Sequence, residues 1–231
     1  MNKIKLKYSS GCVISENVHK IGIIALGSHR ENHGSALPID TDSKIAANVA
    51  LKVATDSGAT FLGIFYAATE YSFIQHGHHL KKDKLIHEQI IPQLINARQM
   101  LDLESVIIVN GHGGNNLIID EIENIEEETS LRIIFNNSII ENEGPHACTG
   151  ELSMGKVLGI TDTQRLEEHG DFTRNPEVGM VGLKLARESE PIINREANII
   201  EKEGFKVDEQ IGRQLLTDAY DSIINDVKSL L

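Results

Sequence analysis

The residues best suited to chemistry lie in a polar run, Gly27 to Asp42, directly after an apolar segment, Ile21 to Leu26. Glu31 and His33 stand two residues apart in this run, and Asp42 closes it. Carboxylate oxygens together with an imidazole nitrogen are good ligands for a divalent metal ion. Asp42 alone would also fit a cap at the start of the next helix. Beside Glu31 and His33, the metal-binding role is the better interpretation.

A second candidate ligand, His112, lies in the run Asn110-Gly-His-Gly-Gly-Asn115, which ends another apolar segment. The surrounding glycines let the backbone approach a bound group closely, and the start of the next helix offers free N–H donors. An ordinary glycine-rich turn and a phosphate cradle stay open as alternatives, although the Gly-Lys-Ser/Thr signature of a nucleotide P-loop is missing from this run. Because loops after parallel strands meet at one edge of a sheet, the two runs predict one shared metal-dependent hydrolase site.

The segment from Gly144 to Ser153 adds two candidate site residues. His146 is a candidate for proton transfer, and Glu151 could complete a second metal position. The alternatives are a packed loop histidine and a glutamate that stabilises a helix N-terminus. Cys148 is left out of the mechanism, because a nucleophilic cysteine needs a base and an activating environment that a sequence does not reveal.

The segment from Thr69 to His79 is rich in histidines, and such a cluster more often forms an exposed loop than a set of ligands for one ion. We predict a substrate-binding role for part of it, and the candidates are Glu70, Tyr71 and His76. Arg30 is a candidate for holding an anionic group of the substrate. The pair Lys81-Lys82 is the alternative for that task.

Composition limits the possible classes of protein. The chain has 231 residues and a formal charge of −12, which argues against nucleic acid or an anionic membrane surface as the main partner. Apolar runs fall short of the roughly 18 residues of a membrane span, and Met1 to Lys5 lacks the pattern of a signal peptide. We therefore expect a cytoplasmic protein. Cys12 and Cys148 form neither a disulfide framework nor a Cys-x-x-Cys metal motif.

Apolar strand-like runs alternate with helix-length segments along the chain. The predicted strands are Ile21 to Leu26, Thr60 to Tyr66, Ser105 to Asn110 and Leu131 to Phe135. The predicted helices are Thr41 to Ser57, Lys84 to Leu101, Leu117 to Glu128, Ser153 to Gly159, Val178 to Glu190 and Gln210 to Leu231. Pro92 is expected to kink or interrupt the second helix, and region 161–204 is the hardest to assign. The alternation predicts a single α/β domain over 1–231, with three α/β/α layers and a mainly parallel sheet.

These motifs together resemble the creatininase family of metal-dependent amidohydrolases. The family motif Gly-Ser-x-Glu-x-His-Gly-x-His-Leu-Pro, followed by an Asp, is similar to the run from Gly27 to Asp42. The motif Asn-Gly-His-Gly-Gly-Asn is intact from Asn110 to Asn115, and His-Ala-x-x-x-Glu-x-Ser is present from His146 to Ser153. The chain departs from the first motif by one extra residue before Glu31 and by Ala36 in place of a second histidine.

The resemblance implies two metal positions that share Asp42 as a bridging carboxylate. The implied ligands are Glu31, Asp42 and His112 for one ion and His33, Asp42 and Glu151 for the other. His146 matches the proton-transfer histidine of the family. Creatininase carries a glutamate two residues after the motif histidine, where this chain has Gly114, so the resemblance implies Glu151 as the substitute ligand.

A narrower resemblance, to an archaeal deformylase branch of the family, is carried by Ser35 to Asp42, Thr60 to Ile64, Thr69 to Tyr71 and His76-Gly77. It implies hydrolysis of the formamide of a phosphorylated formylaminopyrimidine ribotide in riboflavin and coenzyme F420 biosynthesis. It also implies Fe(II) as cofactor, with Zn(II) or Mn(II) as candidates for a second position, and a homo-oligomer. Hydrolysis of another small or cyclic amide, and a non-catalytic ligand-binding homologue, stay open as alternatives.

Overall fold

A parallel sheet of four strands forms the centre of the computed structural model, which describes residues 13–231. The strands are β1 (Ile21–Leu26), β2 (Thr60–Phe65), β3 (Ser105–Asn110) and β4 (Arg132–Asn136). Their order in the sheet is β2-β1-β3-β4, and all neighbouring strands are parallel. Cys12 and the segment Met1 to Lys5, both considered in the sequence analysis, lie outside the described residues.

Helices of very different lengths connect and follow the strands. They are α1 (Thr41–Ser57), α2 (Lys82–Leu85), α3 (Ile91–Leu101), α4 (Ile122–Thr129), α5 (Ser138–Glu143), α6 (Thr149–Leu158), α7 (Leu166–His169), α8 (Lys184–Ser189), α9 (Pro191–Glu203) and α10 (Glu209–Ser229). Short 3₁₀ helices cover Val18–Lys20, Gly113–Glu121, Thr163–Arg165 and Val178–Met180. Within residues 13–231, every helix is too short or too polar to cross a bilayer.

Helices pack on both faces of the sheet, which confirms the predicted three-layer α/β/α architecture. Successive strand residues point to opposite faces, so Ile23 and Ile24 of β1 enter different cores. Ile23 packs in a cluster with α1 and α10, including Ile223. Ile24 packs in a second cluster with α3 and α4, including Leu94. All residues of β1 and β3 are buried, as expected for central parallel strands covered on both sides.

A third hydrophobic cluster joins the loop after β1 to the C-terminal third of the chain. Ala36 and Leu37 pack there against α6, against the 3₁₀ turn at Val178 and against α9. Region 161–204, the hardest to assign from the sequence, therefore packs against the loop that follows β1.

The helical segment between β2 and β3 is interrupted near Pro92. A π-helical turn, Ile86–Ile90, separates α2 from α3, and Pro92 lies in the first turn of α3. Proline has no N–H to donate to the preceding turn, so the ladder of hydrogen bonds is rearranged there instead of continuing. The predicted interruption is confirmed.

The predicted bounds of α1 are correct, whereas several other predicted helix boundaries were wrong. Leu117 to Glu128 begins as a 3₁₀ helix and becomes α-helical only at Ile122. Helix α6 begins at Thr149, four residues before the predicted Ser153, because the loop that carries His146 turns directly into it. Val178 to Glu190 contains a 3₁₀ turn and the short α8, and α5 and α9 were not predicted.

Candidate metal centre

The candidate site lies at the C-terminal ends of β1 and β3, which are neighbours although the chain visits β2 between them. Leu26 pairs with Asn110 in register, so the two following loops start side by side. From β1 the chain continues to β2 on one side of the sheet, and from β3 it continues to β4 on the other side. The two loops therefore separate and leave a crevice at this edge. The crevice is where the two predicted ligand loops meet.

Glycines at the ends of both strands bring the first turn of α1 into this crevice. A Cβ at Gly27 would lie 2.6 Å from the carbonyl carbon of Asp42, and a Cβ at Gly111 would lie 2.7 Å from its carbonyl oxygen. Real side chains do not tolerate such distances to backbone atoms. The glycines therefore allow Asp42 to sit between the loops that carry His33 and His112.

The carboxylate of Asp42 faces one imidazole on each side. Its Oδ1 lies 2.6 Å from Nε2 of His33, and its Oδ2 lies 3.0 Å from Nδ1 of His112. Burial opposes ionisation of Asp42, but His33 and His112 hold the pKa of its carboxyl below the ordinary value. Asp40, not Asp42, occupies the N-cap position of α1, so the capping alternative does not describe the contacts of Asp42.

Hydrogen bonds to backbone carbonyls fix the orientation of both imidazoles. Nδ1 of His33 lies 3.0 Å from the carbonyl oxygen of Glu31, and Nε2 of His112 lies 3.1 Å from that of Thr69. A carbonyl oxygen only accepts, so these ring nitrogens carry the hydrogens and the opposite nitrogens face Asp42. Metal-ligating histidines characteristically use their second nitrogen in this way.

Two further carboxylates complete the arrangement. Oε2 of Glu31 lies 2.9 Å from Nδ1 of His112, and Oε2 of Glu151 lies 3.3 Å from Nε2 of His33. Both oxygens are buried, and neither accepts a hydrogen bond from the part of the chain that the structure describes. Buried carboxylate oxygens without partners are costly unless a cation lies nearby. The donor set, carboxylates with two oriented imidazoles, therefore fits a divalent metal ion such as Zn(II), Fe(II) or Mn(II).

Opposite charges inside this cluster shift the pKa values of its members. Burial opposes ionisation of Glu31, yet His112 and His76 hold the pKa of its carboxyl well below the ordinary value. Burial also disfavours the imidazolium of His33, but Asp42 and Glu151 outweigh it and raise the pKa of His33 well above the ordinary value. The carboxylates thus attract positive charge to the same positions that the geometry offers to a metal ion.

Several overlapping groups of side chains could reach one ion. Each has ligand atoms within 4.8 Å of one another, and the groups are Glu31 with Glu70, His79 and His112; Glu31 with His76 and His146; His33 with His146 and Glu151; and Glu31 with His33 and Asp42. The structure therefore brings together all five predicted ligands and adds histidines around them.

His146 lies at the edge of this cluster and lines the neighbouring cavity. Its Nε2 lies 2.8 Å from the carbonyl oxygen of Asn32, to which it donates, so Nδ1 is free of hydrogen. Nδ1 lies 3.8 Å from Oε1 of Glu31 and 3.6 Å from Oε1 of Glu151. Burial and the neighbouring His33 lower the pKa of His146, which favours the neutral ring with a basic Nδ1.

A cavity of about 520 Å³ opens beside the cluster. Of the four predicted substrate-binding residues, Glu70 and Tyr71 line it. His76 is buried behind Glu31 and lies 2.6 Å from its Oε1, so it contacts a candidate ligand instead of the cavity. Arg30 is exposed and lies outside the cavity wall.

Gly114 shows why a glutamate cannot stand at that position here. A Cβ at Gly114 would lie 2.5 Å from the carbonyl oxygen of Thr69 and 2.7 Å from Nε2 of His112. The Glu70 carboxylate occupies the adjacent space, with Oε2 3.3 Å from the same Nε2. This arrangement is consistent with glycine at a position where creatininase itself carries a glutamate.

Sequence reasoning missed several residues around the site. The ring of His79 stacks on that of His112 at 5.0 Å, and its Nε2 lies 2.9 Å from Oγ of Ser28. Glu143 lines the cavity, and burial together with the charge of Glu151 raises its pKa well above the ordinary value. The histidine-rich run was a signal for His79, whereas Glu143 followed no recognisable pattern. Burial also raises the pKa of the Cys148 thiol, consistent with leaving it out of the mechanism.

Comparisons with known proteins identify the family of the chain. A family model described as creatininase, creatinine amidohydrolase, matches residues 14–224. The chain is 70% identical to a protein of Methanosphaera stadtmanae over 100% of this chain and 99% of that protein. It is 51% identical to a protein of Methanothermobacter thermautotrophicus over 99% of this chain and 97% of that protein. Both are named 2-amino-5-formylamino-6-ribosylaminopyrimidin-4(3H)-one 5'-monophosphate deformylase.

Solved structures with the same fold are distant in sequence. A crystal structure of creatinine amidohydrolase superposes with a TM-score of 0.62 at 16% identity, covering 90% of this chain and 89% of that one. A structure named as the Mn form of creatininase gives 0.60 at 16% identity, covering 95% and 91%. These structures support the fold, and the family model and close relatives define the membership. The chain belongs to the creatininase family.

Proposed function

We propose that the protein is a metal-dependent amidohydrolase that removes the formyl group from 2-amino-5-formylamino-6-ribosylaminopyrimidin-4(3H)-one 5'-monophosphate. Hydrolysis of this formamide yields formate and the free 5-amino compound. The observation that carries the chemistry is the carboxylate of Asp42, whose two oxygens each face one imidazole beside an open cavity. The 70% identity to a relative named as this deformylase supports the choice of substrate.

The proposed ligands are Glu31, Asp42 and His112 for one ion and His33, Asp42 and Glu151 for a second. Fe(II) is the proposed cofactor, with Zn(II) or Mn(II) as candidates for the second position. A divalent cation held there would act as a Lewis acid that polarises the amide oxygen, and it would lower the pKa of water toward neutral pH. The carboxylates and imidazoles of the chain would hold this charge in place.

His146 is the proposed proton-transfer group. Its Nδ1 is directed toward the carboxylates of Glu31 and Glu151, and its ring forms part of the cavity wall. A neutral ring can take a proton from the attacking water at Nδ1 and give it to the departing amine nitrogen. General acid–base steps of this kind typically contribute about 10²–10⁴-fold to the rate.

The phosphate of the substrate needs cationic partners beyond this wall. Eight carboxylate residues line the cavity, and none of its lining residues in the described chain is Lys or Arg. Lys82 is paired with Glu121 at 2.6 Å, and Arg30 lies outside the cavity. We therefore place the phosphate at the cavity mouth, where a second subunit of a homo-oligomer can supply cations. The cytoplasmic location, the single domain and the riboflavin and coenzyme F420 pathway stay predictions.

The decisive experiment is formate release from the formylaminopyrimidine ribotide. The protein is purified anaerobically and stripped of metal, and it is then loaded separately with Fe(II), Zn(II), Mn(II) or mixtures of them. Creatinine serves as an alternative substrate, and a chelator-treated sample serves as the metal control. Light scattering at the assay concentration reports the oligomeric state.

We expect metal-dependent formate release from the ribotide and little turnover of creatinine. Release that persists after complete metal removal would contradict the metal-dependent mechanism. If the fully metal-loaded protein releases no formate, the proposed substrate is wrong, and another small amide of the kind that creatininase-family enzymes hydrolyse becomes the candidate.

A further inference from the structure

Two aromatic rings line the cavity next to the proposed metal ligands. Tyr71 and Phe73 stack with their ring centroids 5.2 Å apart and their planes at 19°. The backbone N–H of Tyr71 donates to Oε1 of Glu70, and Oε2 of Glu70 lies 3.3 Å from Nε2 of His112. The aromatic pair is thereby attached to the side chain that touches a proposed ligand. A flat, apolar surface at this place suits a planar heteroaromatic ring.

Glu190 is an acidic residue that lines the same cavity. It stands directly before Pro191 at the start of α9, and within the described chain its side chain makes no capping hydrogen bond to that helix. Glu190 lines the same cavity wall as Tyr71 and Phe73, and its charge, after burial and Glu70, contributes to the raised pKa of Tyr71. A half-buried carboxylate that is not used as a cap is available to a ligand.

We infer that Glu190 is a specificity-determining residue that accepts hydrogen bonds from the 2-amino group and the adjacent ring N–H of the pyrimidinone, while the ring stacks on Tyr71 and Phe73. This inference rests on the proposed function. A 2-aminopyrimidin-4(3H)-one carries these two donors side by side on one edge, and the two oxygens of a carboxylate match them in a bidentate pair. The acidic cavity thus acquires a role that does not involve the phosphate.

The seven other cavity carboxylates are less suited to this task, and one of them, Glu143, lies within range of the charge of Glu151 at the metal centre. Glu31, Asp42 and Glu151 face the imidazoles of the metal centre, and Glu70 is directed toward His112. Glu141 is exposed. Glu196 lies close enough to Cys148, the N-cap residue of α6, for its charge to raise the pKa of that thiol.

Two small pyrimidinones test the inference on the metal-loaded protein. The first, 2,6-diaminopyrimidin-4(3H)-one, carries the proposed donor pair, and the second, 6-aminopyrimidin-4(3H)-one, lacks the 2-amino group. Isothermal titration calorimetry measures both affinities for the wild type, for Glu190→Gln and for Glu188→Gln. Glu188 is the matched control, because it lies two residues away on α8, pairs with Lys184 and does not line this cavity.

We expect the wild type and Glu188→Gln to bind the 2-amino compound about 10- to 100-fold more tightly than its analogue, the range for a hydrogen bond to a charged group. In Glu190→Gln this ratio should fall to about 1–3-fold, because an amide offers one acceptor and one donor to the two N–H groups. Melting temperatures of the variants report whether they fold normally.

Two outcomes would overturn the inference: a Glu190→Gln variant that keeps the wild-type ratio, or a wild type that does not discriminate between the two compounds. Formate release from the ribotide separates this result from the fate of the proposed function. If binding discrimination depends on Glu190 but no formate is released, the proposed reaction is contradicted and the proposed role of Glu190 is supported. If formate is released and the KM of Glu190→Gln equals that of the wild type, the proposed reaction is supported and the proposed role of Glu190 is contradicted.

Discussion

His169 donates a 2.8 Å hydrogen bond from Nε2 to the carbonyl oxygen of Ala147, the residue after the proposed proton-transfer histidine. Its Nδ1 accepts a hydrogen bond from the N–H of Ala36 at 3.1 Å, and the ring is fully buried against Phe205. Ala147 has a left-handed φ of 53°, a conformation that an alanine adopts only when its surroundings hold it. One imidazole therefore ties the loop after His33 to the loop that carries His146.

Replacement of His169 should loosen both loops. We expect His169→Ala to weaken metal binding about 10-fold or more, in line with the loss of other groups that orient ligands. His169→Gln offers one acceptor and one donor and should recover part of the affinity. Competition with a chromophoric chelator measures the affinity, and His87→Ala, at an exposed position, is the control. Equal affinity in His169→Ala and the wild type would show that the loops do not depend on this residue.

Asp42 should be the ligand whose loss costs the most metal. Its two carboxylate oxygens face His33 and His112, so Asp42→Ala removes a donor from both proposed positions at once. We expect Asp42→Ala to lose both ions, whereas Glu151→Gln should lose mainly the ion at the His33 position. Elemental analysis after gel filtration gives the number of ions per chain.

Asp40→Asn is the matched control for Asp42. It lies two residues away, its side chain is 35% exposed, and it pairs with Lys44 on the surface. The metal content of Asp40→Asn should equal that of the wild type. Full metal content in Asp42→Ala would refute the bridging role and favour a site built from the surrounding histidines.

The sequence was most informative where burial is continuous. The predicted bounds of β1, α1 and β3 coincide with those in the structure. The two strands are apolar runs followed by a glycine or ending in a polar residue, and α1 lies between Asp40 at its N-cap and Gly58 at its C-cap. The ligand loops follow these strands directly, so their convergence followed from parallel strand order alone. The same reasoning could predict that His33, Asp42 and His112 meet, but not which nitrogen each ring presents.

The remaining part of the site could not be predicted, because its contacts join residues far apart in the chain. The N–H of Gly34 donates to Glu177, and Ser35 donates to Asn175, across 143 and 140 residues respectively. Both partners lie in region 161–204, where single polar contacts leave no periodic pattern. A segment that holds a loop through single hydrogen bonds shows no hydrophobic periodicity for these contacts, because its polar residues pair with partners far away in the sequence.

His146 should matter for turnover and little for metal binding. Its Nδ1 lies 3.6 Å or more from the nearest carboxylate oxygen, whereas the proposed ligand imidazoles approach carboxylates at 3.0 Å or closer. We expect His146→Ala to keep its metal and to lose about 10²–10⁴-fold in kcat, as for other general acid–base groups. Steady-state formate release and metal analysis on the same sample test both parts. Wild-type kcat in this variant would exclude the proton-transfer role, and loss of metal would identify His146 as a ligand.

Asp226, which contacts β4 away from the candidate site, should make the free energy of unfolding depend on pH. Its Oδ2 accepts a 2.6 Å hydrogen bond from Asn136, yet burial between α10 and β4 outweighs this bond and raises its pKa above the ordinary 3.8. The folded state holds this proton more tightly than the unfolded state does. Ionisation of Asp226 therefore lowers the free energy of unfolding, and the full loss is reached when the pH exceeds the pKa of Asp226 in both states.

Asp226→Asn keeps an acceptor for Asn136 and removes the buried charge. Its Tm should exceed that of the wild type at about pH 7, and the difference should shrink as the pH falls toward about 4. Asp221→Asn, an exposed position on the same helix, should show no such trend, and a Tm difference for Asp226→Asn that is constant with pH would contradict the assignment.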